Sequence, residues 1–375
     1  MPKLPITQLI QQQIDDDSFQ DKLIDHILNF DPLDPSTSLD TSSPQPLFLT
    51  PKLPPQISWK DVNSKWAPKP VPNQKKPNPD KKLPEADLLI VTWTVAEALA
   101  LSDALTPGKR SHSDWFPYAH NWLSDFKPKV HGMAPSLKVN RLGLWYMSQI
   151  GKKKVLCFKS ELHMARDGKQ MPVKDLWKQL IKEVNPKLVI TTGTAGGIGK
   201  GIQLGDVVVT QTFRFDCNRI FKSDPFHDAV YHCDKKVSLS QVNKVNTKLM
   251  GFTTNMLPKA KRKAKIIIKA EKGIEPNDIV TTDFFAFDDS TDDYKLAGLG
   301  TAVEMGDATL ALACLEIGES APPWIGIRNA SDPQIDKGTT LKEKADIAGR
   351  IYEKYGYWTT INSAIACWAV VNSLK

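Results

Sequence analysis

The chain has 375 residues, 41% hydrophobic and 24% charged, with 21 Gly and 27 Pro. That is the balance of a soluble globular protein, and it excludes collagen-like, mucin-like and wholly disordered classes. Net charge is +7, from 49 Lys and Arg against 42 Asp and Glu; residues 1–84 carry ten Lys and ten Asp, so the whole excess belongs to residues 85–375. The longest apolar stretch near the C-terminus, Ala364 to Val371, falls well short of the roughly 20 residues that span a bilayer. The first residues also lack the apolar core of a signal peptide, so a cytoplasmic protein with no membrane partner is expected. Cys157, Cys217, Cys233, Cys314 and Cys367 are odd in number, widely spaced and free of any CxxC. They read as reduced core residues, with no metal site.

The first 84 residues hold 15 of the 27 prolines and no glycine, which marks an N-terminal extension distinct from residues 85–375. Within it, Ser18 precedes Phe19, Leu23, Ile24, Ile27 and Leu28. That spacing predicts a short amphipathic helix with Ser18 as N-cap, either docking elsewhere or packing on the main domain. Lys52 to Pro84 is expected to be an extended linker, with polyproline II at Pro68–Pro72 and Pro77–Pro79. From Glu85 apolar strands alternate with helices: strand Leu88–Thr92, helix Val95–Leu105, strand Val155–Phe158, helix Val173–Val184 and strand Leu188–Thr192. Strands Val207–Thr210, Ala264–Ile268 and Trp324–Ile327 come next, with helices Ala302–Leu315 and Leu341–Tyr355. The pattern predicts an α/β domain with a mixed sheet. The basic run Lys259, Lys261, Arg262, Lys263 and Lys265 reads as a solvated face leading into a strand, so no nucleic-acid partner is expected.

After the strand Leu188–Thr192 comes Gly193-Thr194-Ala195-Gly196-Gly197-Ile198-Gly199. Small residues there let backbone N–H groups approach a ligand, but the spacing fits neither GxGxxG nor GxxxxGK[ST]. By itself the loop is as consistent with a tight structural turn as with a ligand site.

Together, Val189 to Ile198, Leu204-Gly-Asp-Val-Val-Val209, Ala302-Val-Glu-Met305 and Ile327-Arg-Asn-Ala-Ser-Asp332 resemble the nucleoside phosphorylase and nucleosidase superfamily. The similarity spans roughly residues 87–370 and is greatest to the 5'-methylthioadenosine/S-adenosylhomocysteine nucleosidase type. It implies a three-layer α/β/α sandwich around a mixed sheet, assembled as a homo-oligomer, and needing no cofactor. Asp332 matches the general acid that protonates the departing purine, and Glu97 the carboxylate that activates water. Without the resemblance, Asp332 reads as a turn or cap residue and Glu97 as a first-turn helix residue. Thr194, Ala195 and Gly196 match the positions lining the ribosyl and nucleophile site. Phe285 matches the aromatic against the base, Ala286 its backbone partner, and Met305 the residue under the ribose.

Two departures bear on the chemistry. Where phosphorylases carry an Arg, this chain has Thr191, which argues for water rather than phosphate as nucleophile. Where the family's second Glu binds the ribose hydroxyls, it has Gly306, followed by Asp307. Either Asp307 reaches the sugar, or the sugar is non-standard (with Arg166 or Lys200 meeting phosphates), or activity is lost. The expectation is an N-ribosyl hydrolase acting on a purine, adenine-containing nucleoside or nucleotide. The alternative is a catalytically inactive nucleoside- or nucleotide-binding protein.

Overall fold

The structure is a computed structural model that describes residues 6–39, 57, 59, 64–72, 76–242, 244–245, 249–250, 257, 262–269, 276–338 and 340–374. The chain opens with α1 (Ile6–Asn29) and a two-residue strand, β1 (Lys69–Pro70). β2 (Leu88–Thr92) is buried along its whole length and leads into α2 (Val95–Leu105). A capping box starts α2: the Thr94 hydroxyl accepts from the Glu97 N–H, and the Glu97 carboxylate accepts from the Thr94 N–H. After β3 (Phe116–Tyr118) and α3 (Pro135–Val139) come the hairpin strands β4 (Gly143–Ile150) and β5 (Lys153–Ser160), then α4 (Pro172–Val184). β6 (Leu188–Gly197) is followed by β7 (Val207–Thr210), β8 (Thr212–Asp216), β9 (Val230–His232), β10 (Ile266–Ile267) and β11 (Ile279–Thr282). β12 (Ala302–Glu304), α5 (Asp307–Ile317), β13 (Trp324–Asp332) and α6 (Leu341–Ser373) complete the order.

One mixed sheet joins these strands in the order β1-β4-β5-β2-β6-β12-β11-β8-β9, with β13 beside β6 and β7, and β10 beside β7. Successive residues of β2 divide between two cores, as a pleated strand with both faces covered requires. Leu89 and Val91 join Trp177, Leu180 and Leu310 of α4 and α5, whereas Leu88 and Ile90 join Leu99, Leu101, Ile361 and Ile365 of α2 and α6. The result is a three-layer α/β/α sandwich.

β6 carries the detail that makes a site. It pairs with β2 in parallel over Leu188–Thr191 and with β12 antiparallel at Gly196 and Gly197, while β13 runs along its other edge from Val189 to Gly196. On the β2 side, the segment around Thr194 lies between two strand partners. A strand edge opened inside a sheet must find its hydrogen bonds elsewhere.

Several boundaries differ from the sequence expectation. Ser18 is interior to α1, which starts a full three turns earlier; Ser lowers helix propensity but does not stop a helix whose apolar face is buried. Leu23, Ile24, Ile27 and Leu28 belong to the same core as α4 and α5. Ala302–Glu304 is a strand, not the start of a helix, because α5 begins only after Gly306. Helix Leu341–Tyr355 continues to Ser373, since its apolar second half packs on the sheet. Of the basic run, Lys259 and Lys261 lie outside the described residues. Arg262 makes a two-pronged ion pair with buried Asp206, at 2.7 and 2.6 Å.

Candidate active site

A cavity of about 60 Å³ opens where β6 loses its neighbour. Its walls include Glu97, Thr194, Ala195, Gly196, Phe285, Ala286, Met305 and Asp332, which are eight of the nine positions singled out from the sequence. Gly306 is the ninth, and it is not on the wall. A Cβ at Gly306 would lie 3.2 and 3.3 Å from the Trp93 indole, so Trp93 occupies the space that a side chain there would enter.

Glu97 does two jobs with one carboxylate. As the capping residue of α2, its Oε2 accepts from Thr94 N (2.9 Å), Trp93 N (3.1 Å) and the Thr92 hydroxyl (2.7 Å). Across the gap its Oε1 accepts from the N–H and hydroxyl of Thr194, at 2.7 and 2.6 Å. The strand edge is thus satisfied by a side chain. Gly193 permits this approach: its φ is +142°, and a Cβ there would sit 2.4 Å from the Glu97 carboxyl carbon. Burial opposes ionisation of Glu97, but the Arg328 guanidinium and the Thr194 and Thr94 hydrogen bonds outweigh it and hold the pKa below the usual carboxylate value.

Asp332 ends β13, beside a register shift between Ala330 and Asp332 that turns the last residues toward the cavity. It is buried and, among the described residues, accepts one side-chain hydrogen bond, from Ser331 at 2.9 Å, and has no cation paired with it. Burial pushes its pKa up to about 7, against the small opposing effect of Ser331. Gly196 keeps the approach open, since a Cβ there would lie 3.1 Å from Asp332 Oδ2. The two carboxyl groups therefore differ in state: Glu97 is held ionised and Asp332 is poised to carry a proton at neutral pH.

Arg328, four residues before Asp332, was not assigned a role from the sequence. It is buried over the Trp93 ring, 4.8 Å from the centroid to the guanidinium carbon. Its guanidinium pairs with both oxygens of Asp307 (2.5 and 2.9 Å), with Glu304 at 3.2 Å, and lies 3.9 Å from Glu97. A further N–H reaches the Thr194 carbonyl at 3.3 Å. Asp307 is thus turned to Arg328 beneath the cavity, and it is Glu304 that reaches the wall. Burial raises the Glu304 pKa to about 8, with neighbouring Asp307 adding to the effect and Arg328 opposing it. The sequence signal for Arg328 was a charged residue inside an apolar strand, which demands buried partners.

His163 also lines the cavity. Its Nδ1 accepts from the Ala165 N–H at 3.3 Å, which leaves the proton on Nε2, and burial lowers its pKa to about 3. It is a neutral donor. Arg166 does not line the cavity; its guanidinium faces Asp21 and Asp25 of α1. Lys200 borders a separate groove with Asp288, Asp289 and Asp292. Thr191 is fully buried inside β6. Among the described residues, no three His, Cys, Asp or Glu side chains are grouped to hold a metal ion, and no helix is long and apolar enough to cross a membrane.

Asp332 at the end of a strand and Glu97 in the first turn of α2 thus line one cavity beside a gap in a mixed α/β sheet. Residues 134–354, more than half of the chain, match the phosphorylase superfamily, and the chain belongs to that family. No curated protein matches the chain. Similar solved structures include the 5'-methylthioadenosine/S-adenosylhomocysteine nucleosidase of Colwellia psychrerythraea in complex with adenine, 17% identical, covering 79% of this chain and 98% of that one with a TM-score of 0.47. A Helicobacter pylori nucleosidase mutant of the same type, with 5'-methylthioadenosine in its active site, is 14% identical over 77% and 99% of the two chains, TM-score 0.46. Futalosine hydrolase of Helicobacter pylori is 14% identical over 76% and 97%, TM-score 0.44.

Proposed function

We propose that the chain is an N-ribosyl hydrolase that cleaves the glycosidic bond of a purine nucleoside. The observation that carries this reading is the pair Asp332 and Glu97 on one cavity, the first buried without a cation and the second held ionised. A purine is a poor leaving group as an anion, so a protonated carboxyl beside the base lowers the barrier by supplying the proton as the bond breaks. The sugar then develops positive charge, which the ionised Glu97 faces. Such a cation needs little nucleophilic help, and a water held by Glu97, which takes its proton as the C–O bond forms, suffices. Both Glu97 oxygens are already filled by protein donors, so that water takes the place of the Thr194 hydroxyl on Oε1.

Water is favoured over phosphate by charge. Arg328 is the cation nearest the reacting centre, and its donors are committed to Asp307, Glu304 and Thr194. An incoming phosphate would meet the ionised Glu97 with no free guanidinium fork. Glu304, on the wall where Gly306 is not, supplies the acceptor for a ribose hydroxyl. The resemblance favours adenine as the base. It also implies a homo-oligomer, which sedimentation velocity would test. The reading is tested by incubating the protein with adenosine, inosine, guanosine and 5'-methylthioadenosine in phosphate-free buffer and measuring free base. Release abolished in Asp332→Asn supports it; binding without release in the parent returns the chain to a silent nucleoside-binding protein.

A further inference from the structure

The cavity is closed on one side by residues from outside both the family match and the region of resemblance. Ile27 and Leu28 of α1 are on its wall, 5% and 3% exposed. α1 runs across the site in a definite direction. Near its middle, the Gln20 carboxamide accepts from the Phe285 N–H (2.9 Å) and donates to the Phe285 carbonyl (3.3 Å), at the end where the base is read. Two turns later the Ile27 carbonyl lies 3.0 Å from the Tyr352 hydroxyl, which is also 2.9 Å from the hydroxyl of Thr94, at the Glu97 end. Ion pairs fix this course: Arg219 holds Asp17 and Asp21, and Arg166 holds Asp21 and Asp25. Both arginines sit on loops that support the cavity. Arg166 lies three residues after His163, and the Arg219 N–H is bonded to Asp283, two residues before Phe285. The apolar face of α1 is part of the main core, so the helix is a wall and not a flap.

We propose that the Ile27–Leu28 turn of α1 is a specificity wall at the sugar end of the site. Resting on the reading of this cavity as a nucleoside site, it names the substrate class: a purine nucleoside whose sugar carries a small, uncharged group where it meets α1. Two observations set those terms. The Ile27 and Leu28 side chains, both buried, and Tyr352, whose hydroxyl is bonded to the Ile27 carbonyl at 3.0 Å, close that end with packed core groups, so bulk on the sugar meets them directly. The groups at that end are Ile27, Leu28, Tyr352 and neutral His163, none of which compensates a phosphate, while Arg166 is spent on α1. Arg166 and Arg219 are positioning residues that act through the helix.

The test compares full-length parent with Leu28→Ala and Ile27→Ala, using adenosine, 5'-butylthioadenosine and adenosine 5'-monophosphate. In parallel, the binding of carbon-linked 9-deaza analogues, which cannot be cleaved, is measured by calorimetry. The parent should favour adenosine and reject the monophosphate. The butylthio-to-adenosine ratio of kcat/KM, and of binding constants, should rise about tenfold or more in Leu28→Ala, the range that one or two methylenes give in an apolar pocket. Leu28→Val, with one methylene fewer, keeps the test if the alanine variant does not fold. Unchanged ratios in the Leu28 and Ile27 variants, or a parent that binds the butylthio compound as readily as adenosine, would overturn the wall. Shifted binding ratios with no base released from any substrate would support the wall and overturn the hydrolase reading.

Discussion

Asp332 and Glu97 are both buried carboxylates, and their surroundings give them opposite properties. Asp332 keeps its proton in the folded chain up to about pH 7 but loses it near 3.8 when unfolded. The folded state therefore binds more protons between those values, and stability falls as pH rises through that window, levelling off above it. Asp332→Asn removes the penalty. Its melting temperature should match the parent near pH 4 and exceed it by a margin that widens toward about pH 7 and then stays constant, by calorimetry at a series of pH values. The same substitution should lower base release by ~10²–10⁴, the usual worth of a positioned acid. In the parent, kcat/KM should decline as pH rises through about 7; a profile flat from pH 6 to 9 would remove Asp332 as the acid. Glu97→Gln behaves differently. Its carboxylate accepts from five protein donors, and an amide NH₂ facing some of them leaves buried N–H groups unpaired. A stability loss of roughly 1–3 kcal/mol per unpaired group is expected in denaturant unfolding, together with lost activity. Thus one substitution trades activity for stability, and the other loses both.

At the scale of elements, the site exists because β2 leaves β6 before β12 joins it, and α2 sends back one side chain to bridge the gap. Gly193 is the hinge of that arrangement. Gly193→Ala forces a Cβ into the Glu97 carboxyl at a φ that L residues rarely adopt, so α2 and β6 should separate. Circular dichroism melts should show destabilisation larger than that of Gly298→Ala, where nothing lies within 4 Å. The legibility of these elements from sequence obeyed the same physics. Helix Val95–Leu105 was readable to the residue, because Thr94 and Glu97 make a capping box ahead of it and Pro107-Gly108 comes after it. Ala302–Glu304 was misread as helix because its three residues adjoin a helical run, and only the pairing with β6 and β11 makes them a strand. β4, β8 and β11 were not singled out; β8 and β11 pair with each other from distant parts of the sequence, which leaves little local trace, whereas β4 is the first strand of a hairpin with β5. The positions around the cavity were legible through motif order, whereas the partners of Arg328, Glu304 and Asp307 depend on side-chain direction. That Asp307 turns to Arg328 while Glu304 reaches the wall is something spacing alone does not say.

For the whole molecule, the N-terminal extension is the part whose role changed most on folding. Its composition marks it as separate, yet Ile27 and Leu28 line the cavity and, with Leu23 and Ile24, enter the main core. Its Asp17, Asp21 and Asp25 also pair with Arg219 and Arg166, neither of which lines the cavity. A site with an ionised Glu97 and one guanidinium committed to Asp307, Glu304 and Thr194 should not depend on phosphate at all. Adding phosphate up to ~50 mM should leave the rate unchanged apart from the screening that an equal ionic strength of chloride produces. The most direct measurement is of product identity in phosphate-free buffer, with adenosine as substrate and the Asp332→Asn variant as control. The account predicts adenine and free ribose in equal amounts from the parent, and a rate lower by at least two orders of magnitude from the variant. Strict dependence on added phosphate with ribose 1-phosphate as product, or equal rates from parent and variant, would contradict it.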